Sequence, residues 1–192
     1  MKTVQVTIKG TAPLLIHRFT EESSQQKASR KITIQERDPR EEATKVAYIA
    51  PDGTYYFNAM AIPGCIGNAG SNHKMKGSRK SLRYVVPSAV RMNVEAVTIL
   101  NGDGKPAKDF EVDSRPVTIP ATKGKIMRHR PRFDNWSAKF ELVVNENILG
   151  GTDIVHQLLN EAGESIGIGD FRPEKRGPFG TFLVTEFVEM KK

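Results

Sequence analysis

Apolar and polar residues alternate from the first positions of the chain. Val4, Val6 and Ile8 interleave with Thr3, Gln5 and Thr7, the period-two pattern of a half-buried strand. Gly10 and Pro13 interrupt it, and the short apolar run Leu14-Leu15-Ile16 leads into His17-Arg18-Phe19. From 20 to 37 apolar anchors are scarce and Ser, Gln and Lys abundant, which predicts a segment that is mobile or ordered only by a partner. Asp38-Pro39 followed by Glu41 and Glu42 predicts a short helix to about Val46, with proline at its first position and acids in its first turn. Tyr48 to Phe57 reads as a hairpin around Asp52-Gly53. A second helix is expected from Pro63 to about Lys74. Gly64, Gly67 and Gly70 would flatten one of its sides for packing against a sheet or a neighbouring subunit.

Beyond it, 77–84 is basic and loop-like, and Tyr84 to Leu100 has broken strand character. Asn101 to Gly104 is a turn, and Phe110 to Ile119 is strand-like. Lys125–Arg130 and Trp136–Val144 read as a strand pair around Pro131-Arg132-Phe133-Asp134. Ile154, Val155, Leu158, Leu159 and Ala162 share one face of a helix over 152–162. A last strand is expected over 181–190, with Phe182, Val184 and Glu186 on one face and Leu183 and Phe187 in or near the core. The strongest elements follow the order strand, helix, strand, strand, helix, strand. That order defines an α+β class with the ferredoxin-like arrangement and an antiparallel sheet. The reading is of one domain, 1–192, with a β-rich, thumb-like insertion over roughly 75–120.

Charge sharpens the picture. The 192 residues carry a net charge of +7, which points towards polyanions. Its distribution says more than its size. No acid lies between Asp52 and Glu95, a stretch holding Lys74, Lys76, Arg79, Lys80, Arg83 and Arg91. None lies between Asp113 and Asp134, which enclose Arg115, Lys123, Lys125, Arg128, Arg130 and Arg132. The twelve cations of these windows leave 17 of the 29 for the remainder, against all 22 acids. Such segregation suits a binding face, where a merely soluble surface would mix both signs.

Two stretches concentrate candidate chemistry. The first is the glycine-rich loop from Gly163 to Gly180, which includes Gly167, Gly169, Gly177 and Gly180. Its Arg172, Lys175 and Arg176 offer donors to phosphate, and Phe171 and Phe179 offer flat faces, as in a clamp on single-stranded nucleic acid. A long surface loop with ordinary turn chemistry would share the glycines and prolines. The second is the basic strand Lys125 to Phe133, preceded by Lys123. Arg128, Arg130 and Arg132 alternate there with Met127 and His129, so cations stand on both faces. Such a strand suits phosphate contact, or else a solvated edge that uses charge against aggregation.

Other chemistries find little support. His17, His73, His129 and His156 are scattered without metal-ligand spacing, and neither a Walker A loop nor a dinucleotide fingerprint is present, so no metal or cofactor is expected. Cys65 is the only cysteine, which excludes an internal disulfide and favours a reducing cytoplasm. No stretch approaches the ~18 apolar residues of a membrane span, and the first ten residues lack a signal-peptide core.

Thr11-Ala12-Pro13-Leu14-Leu15-Ile16-His17-Arg18-Phe19, the Arg-rich middle, and Gly167-Ile168-Gly169-Asp170-Phe171-Arg172 through Gly177-Pro178-Phe179-Gly180 resemble the RAMP superfamily. That superfamily includes the repeated backbone subunits of CRISPR effector complexes and small RAMP-like proteins of phages and mobile elements. The resemblance implies a modified RNA-recognition fold that polymerises along guide RNA through a palm, a thumb hairpin and a glycine-rich loop. Some members cut RNA without metal, which would make His17 the general base. Others cleave through a loop aspartate, and no motif selects among Asp38, Asp113 and Asp134. The expected function is a non-enzymatic single-stranded RNA-binding protein, oligomeric or joined to other CRISPR-like subunits. Its contacts would come from Arg18, Lys123, Lys125, Arg128, His129, Arg130, Arg132, Phe171, Arg172, Lys175 and Arg176. The alternatives are a metal-independent endoribonuclease using His17 and a phage single-stranded DNA-binding or assembly protein.

Overall fold

The computed structural model describes residues 1–19, 38–118 and 123–190. The polar segment expected over 20–37 lies outside the described residues, as does Ile119 at the end of one expected strand.

The chain opens with β1 (Lys2–Gly10) and β2 (Leu14–Leu15). Helix α1 (Pro39–Lys45) begins as its sequence dictates: Asp38 caps it by accepting from the Arg40 amide at 2.8 Å. The hairpin around Gly53 closes through an Ile49–Tyr55 bridge and leads to β3 (Tyr56–Asn58). Next come α2 (Ala61–Ala69) and a 3₁₀ turn, Gly70–Asn72. A second 3₁₀ turn, Leu82–Tyr84, precedes α3 (Val86–Ala89), β4 (Val90–Arg91) and β5 (Ala96–Thr98). Then follow β6 (Glu111–Thr118), β7 (Lys125–Phe133), β8 (Ser137–Val144), α4 (Glu146–Leu149), α5 (Asp153–Ser165) and β9 (Phe182–Glu189).

The main sheet runs β4-β8-β1-β9 with every neighbour antiparallel. Val4, Val6 and Ile8 of β1 stand opposite Leu142, Phe140 and Ala138 of β8 on the core face. Helices α2 and α5 cover that face through Ile62 and Ile66 and through Val155, Leu158, Leu159 and Ala162, all buried. Gly163 lets α5 lie directly on β9, since a Cβ there would come within 2.2 Å of the Phe182 carbonyl oxygen. A second sheet, β2-β7-β6, projects the long hairpin β6–β7, and β3 pairs with β5.

Four expectations change. Strand β7 pairs with β6 and β2, not with β8, which pairs with β1 instead. The alternating apolar face of β8 matches that of β1, whereas pairing with β7 would have carried three arginines along the core sheet. Residues 82–89 are helical rather than extended, started by Ser81, whose hydroxyl accepts from the Arg83 amide, with Pro87 in the first turn of α3. The 75–120 region is therefore partly helical, and the projecting hairpin continues to Phe133. Leu183 is exposed opposite Lys9 on the outer face, whereas a bulge opposite Thr7 and Ile8 shifts the parity of β9 beyond it and returns Phe187 to the core side.

The flat side of α2 packs within its own chain. A Cβ at Gly70 would lie 3.0 Å from Leu82, and one at Gly67 would lie 3.9 Å from Val86, while Gly64 faces open space.

Candidate nucleic-acid interface

Register fixes the two faces of the β6–β7 hairpin. Thr118 stands opposite Lys125, Arg115 opposite Arg128, Ser114 opposite His129, Asp113 opposite Arg130 and Glu111 opposite Arg132. Residues directly opposite share a face. One face therefore carries Arg115, Asp113, Arg128, Arg130 and Arg132; the other carries Ser114, Met127 and His129.

The arginine face packs against the glycine-rich loop. The Arg115 guanidinium lies over the Phe179 ring at 4.6 Å and the Phe171 ring at 5.8 Å, and the two rings are 6.0 Å apart. Arg115 also makes a two-pronged contact with buried Asp113, with Nε to Oδ1 at 2.7 Å and Nη2 to Oδ2 at 2.5 Å. Arg130 Nε is 2.7 Å from Asp170 Oδ2, and its Nη1 is 4.0 Å from Asp113 Oδ1. Arg128 Nη1 donates to His17 Nε2 at 2.9 Å.

The loop is stitched to the segment after β1 by its backbone. The Asp170 amide donates to the Leu15 carbonyl at 2.8 Å, the Gly180 amide to Pro13 at 2.8 Å, and the Ile168 amide to Gly180 at 3.0 Å. Its glycines serve this close internal approach. A Cβ at Gly177 would sit 1.7 Å from the Phe171 oxygen, one at Gly180 would sit 1.8 Å from the Ile168 oxygen, and one at Gly169 would sit 2.4 Å from the Leu15 oxygen. Gly167, Gly169 and Gly180 also have positive φ. The bulky neighbour these glycines accommodate is the protein's own backbone.

Arg130 is the clearest correction among the expected phosphate ligands. It is 5% exposed and committed to Asp170 and Asp113, so it belongs to the packing between hairpin and loop. His129 lies on the opposite hairpin face, hydrogen-bonded to Ser114 at 2.7 Å and 3.8 Å from Glu42 of α1. Arg172 is half-buried, bonded through Nη1 to the Gly169 carbonyl at 2.9 Å and through Nε to Glu174 at 3.0 Å. Arg132 holds Asp134 at 2.7 Å. By contrast, Arg18, Lys123, Lys125 and Arg176 are exposed and have no ion-pair partner among the described residues. Lys175 is exposed, with only a 4.0 Å approach to Glu174. Lys123 and Lys125 stand at the tip of the hairpin beside exposed Met127, and Lys175 and Arg176 on the loop.

Between loop and helix lies a cleft of about 390 Å³, lined by Ile16, His17, Gly64, Asn68, Asp170 and Arg172 among others. Gly64 lacks a side chain where α2 forms the wall. Cys65 also borders the cleft, but burial pushes its thiol up to about 12, so it is not a thiolate at neutral pH. Among the described residues no group of three or more His, Cys, Asp or Glu is placed to hold a metal ion. Among them, too, no helix is long and apolar enough to cross a membrane.

Burial first, then the neighbouring Arg128, lowers the His17 pKa below its ordinary value. Because Arg128 can only donate, Nε2 must accept and the proton sits on Nδ1, which is buried without a hydrogen-bond partner among the described residues. The lone pair that a general base would use is therefore engaged. The unfolded chain takes up this proton first as pH falls through about 6.5, so the His17 contribution to stability is full above that pH and declines below it. Wild-type protein is accordingly expected to lose more thermal stability between pH 7.5 and 5.5 than His17→Gln, whose amide oxygen still accepts from Arg128. Equal losses in calorimetric scans would remove His17 from this account.

The mixed α/β arrangement with antiparallel sheets is shared with solved structures. Two solved structures show it. A chain of the type III-B Cmr-beta complex bound to cognate target RNA superposes with a TM-score of 0.58 at 12% identity; the match covers 99% of this chain and 61% of that one. Cmr6 from Pyrococcus furiosus superposes with a TM-score of 0.50 at 11% identity, covering 95% of this chain and 97% of that one. The chain thus spans less than two thirds of the first of these relatives. No protein-family model matches the sequence, and no curated protein matches it.

Several features escaped the sequence reading. Asp170 and Asp113 were not singled out as the acids that would claim Arg130 and Arg115. Asp113 lies two residues from Arg115, a spacing that puts both on one face of a strand, whereas Asp170 is far from Arg130 in sequence and only the tertiary fold pairs them. The face of the main sheet away from the helices is mixed: Lys139 lies 3.9 Å from Glu186, which also accepts from Thr7. The expected cations lie on the second sheet and its neighbouring loop instead.

Proposed function

We propose that this chain is a single-stranded RNA-binding subunit of a CRISPR-type ribonucleoprotein. The four-strand order is read as ferredoxin-like, a modified RNA-recognition fold, and the β6–β7 hairpin as a thumb within one domain. Other subunits or further copies of the chain are its expected partners, and the cytoplasm its expected place. The observation that carries the reading is the set of exposed cations on Arg18, Lys123, Lys125, Lys175 and Arg176, on the hairpin tip, the loop and the outflow of β2. Arg128 contributes a half-buried side chain bonded to His17 of the cleft, and Phe171 a half-buried ring. The RNA-bound state of the Cmr-beta assembly supports a polynucleotide as ligand.

If five cations meet phosphates, affinity for a labelled single-stranded RNA should fall with salt at a log–log slope of about −3.5. The triple variant Lys123→Ala/Lys125→Ala/Arg176→Ala should reduce that slope by roughly 2 and weaken binding on the order of 50-fold at 0.15 M salt. Unchanged affinity and slope would remove the proposal. RNA left whole after incubation with the protein, and preferred over DNA of the same sequence, separates this reading from nuclease action and from DNA binding.

A further inference from the structure

The acid-free window between Asp52 and Glu95 also holds a structured element. Residues 73–82 form a tight hairpin: the Met75 amide donates to Lys80 at 2.9 Å, the Leu82 amide to His73 at 2.9 Å, and Lys74 bridges Ser81. Gly77 turns it with φ +73°. It is anchored at both flanks. Ser81 Oγ donates to the carbonyl of Gly70 at 3.0 Å, and His73 Nε2 meets Glu161 of α5 at 2.6 Å. Lys74, Lys76, Arg79, Lys80 and Arg83 are all exposed, and among the described residues none has an ion-pair partner. Tyr84, immediately after them, is 69% exposed. Four such cations on one hairpin and a fifth just after it repel one another, and a large aromatic ring left in water gains nothing from folding; both are explained by a ligand carrying phosphates and planar bases.

The position of this hairpin matters. It follows directly from α2 and its 3₁₀ extension, and Asn68 in the last turn of α2 donates to Glu174 of the glycine-rich loop at 3.1 Å. Lys175 and Arg176 are the next residues of that loop. The helix from which the basic hairpin extends is therefore tied to the loop that carries Lys175 and Arg176.

We propose that the 73–82 hairpin, with Arg83 and Tyr84 of the 3₁₀ turn that follows it, is a second contact for the same single strand, with the cations on phosphates and Tyr84 stacked on a base. This rests on the RNA-binding reading above and extends it from one contact region to two. The probe is a labelled 24-nucleotide oligouridine titrated with the full chain at several salt concentrations. Lys74→Ala/Lys76→Ala/Arg79→Ala/Lys80→Ala is expected to reduce the salt slope by roughly 2.8. Tyr84→Ala is expected to weaken binding between about 5- and 150-fold with the slope unchanged, and Tyr84→Phe to restore it. All these side chains are exposed, so melting temperature should hold or rise. Were the quadruple variant to unfold, the two Tyr84 variants carry the test.

Wild-type affinity in both loop variants, beside weakened binding in the Lys123/Lys125/Arg176 variant, overturns this proposal and leaves the earlier reading standing. Absence of oligouridine binding by the wild type overturns both. Loop variants that keep RNA affinity but lose binding to polyglutamate would assign the hairpin to an acidic protein and overturn it as well.

Discussion

Arg130→Ala is expected to cost roughly 3–5 kcal/mol of stability, the largest loss foreseen for any charged residue of the chain. Removing one partner of a buried ion pair leaves the other without compensation. Here the deletion strips Asp170 of its 2.7 Å partner and leaves Asp113, 5% exposed, with Arg115 alone. It also empties the space filled by the arginine stem between hairpin and loop. For a chain of this length the melting temperature should fall by roughly 6–20 °C. RNA affinity, measured well below that temperature, should stay within about twofold of wild type, because a side chain sealed by two carboxylates meets no phosphate. A stable variant with weakened RNA binding and a salt slope reduced by about 0.7 would return Arg130 to the ligand set.

Gly180→Ala is expected to be the most damaging change in the loop. The residue has φ +70°, where a Cβ costs about 1–2 kcal/mol, and that Cβ would meet the Ile168 carbonyl oxygen at 1.8 Å. Relieving so short a contact means moving backbone, which adds about 1–3 kcal/mol. The shift would strain the Gly180–Pro13 and Ile168–Gly180 hydrogen bonds that tie the loop to the rest of the molecule. A loss of roughly 2–5 kcal/mol in denaturant unfolding is expected, with faster hydrogen exchange at the Asp170 and Gly180 amides. By contrast, Gly53→Ala has a positive φ but no atom within 4 Å of its added Cβ, so only the conformational cost applies. Equal losses at the two positions would mean that close packing at Gly180 contributes nothing.

Much of the fold was legible because local rules and tertiary packing agree. The alternation of Val4, Val6 and Ile8 is the core face of β1, Asp38-Pro39 starts a helix, and the amphipathic run from Ile154 to Ala162 lies on the sheet. Long-range pairing was less legible. β7 and β8 are neighbours in sequence and look like a hairpin, yet each finds its partner elsewhere, β8 in the first strand of the chain. The bulge in β9 sets Phe187 and Leu183 on opposite faces, and no residue type announces it. At the candidate interface, the sequence marks where cations concentrate but not which of them are neutralised. Arg130 and Lys125 differ by five positions and are alike by composition. The first is buried against Asp170, and the second stands in water at the hairpin tip. Glycine was likewise ambiguous: Gly177 and Gly180 sit in a loop rich in ligand-like residues, while their lack of a side chain accommodates Phe171 and Ile168.

The interior place of β1 in its sheet has a bearing on how the molecule is made. Val4 waits for Leu142 on one side and Glu189 on the other. At ribosomal speeds of about 5–20 residues per second, the first partner follows roughly 7–28 seconds later and the second some seconds after that. Throughout that interval a strand with an apolar face and two bare edges is attached to a growing nascent chain. A holdase that binds extended apolar peptides would find its natural target there, and slowed translation upstream of β8 should raise the fraction of chains lost to aggregates.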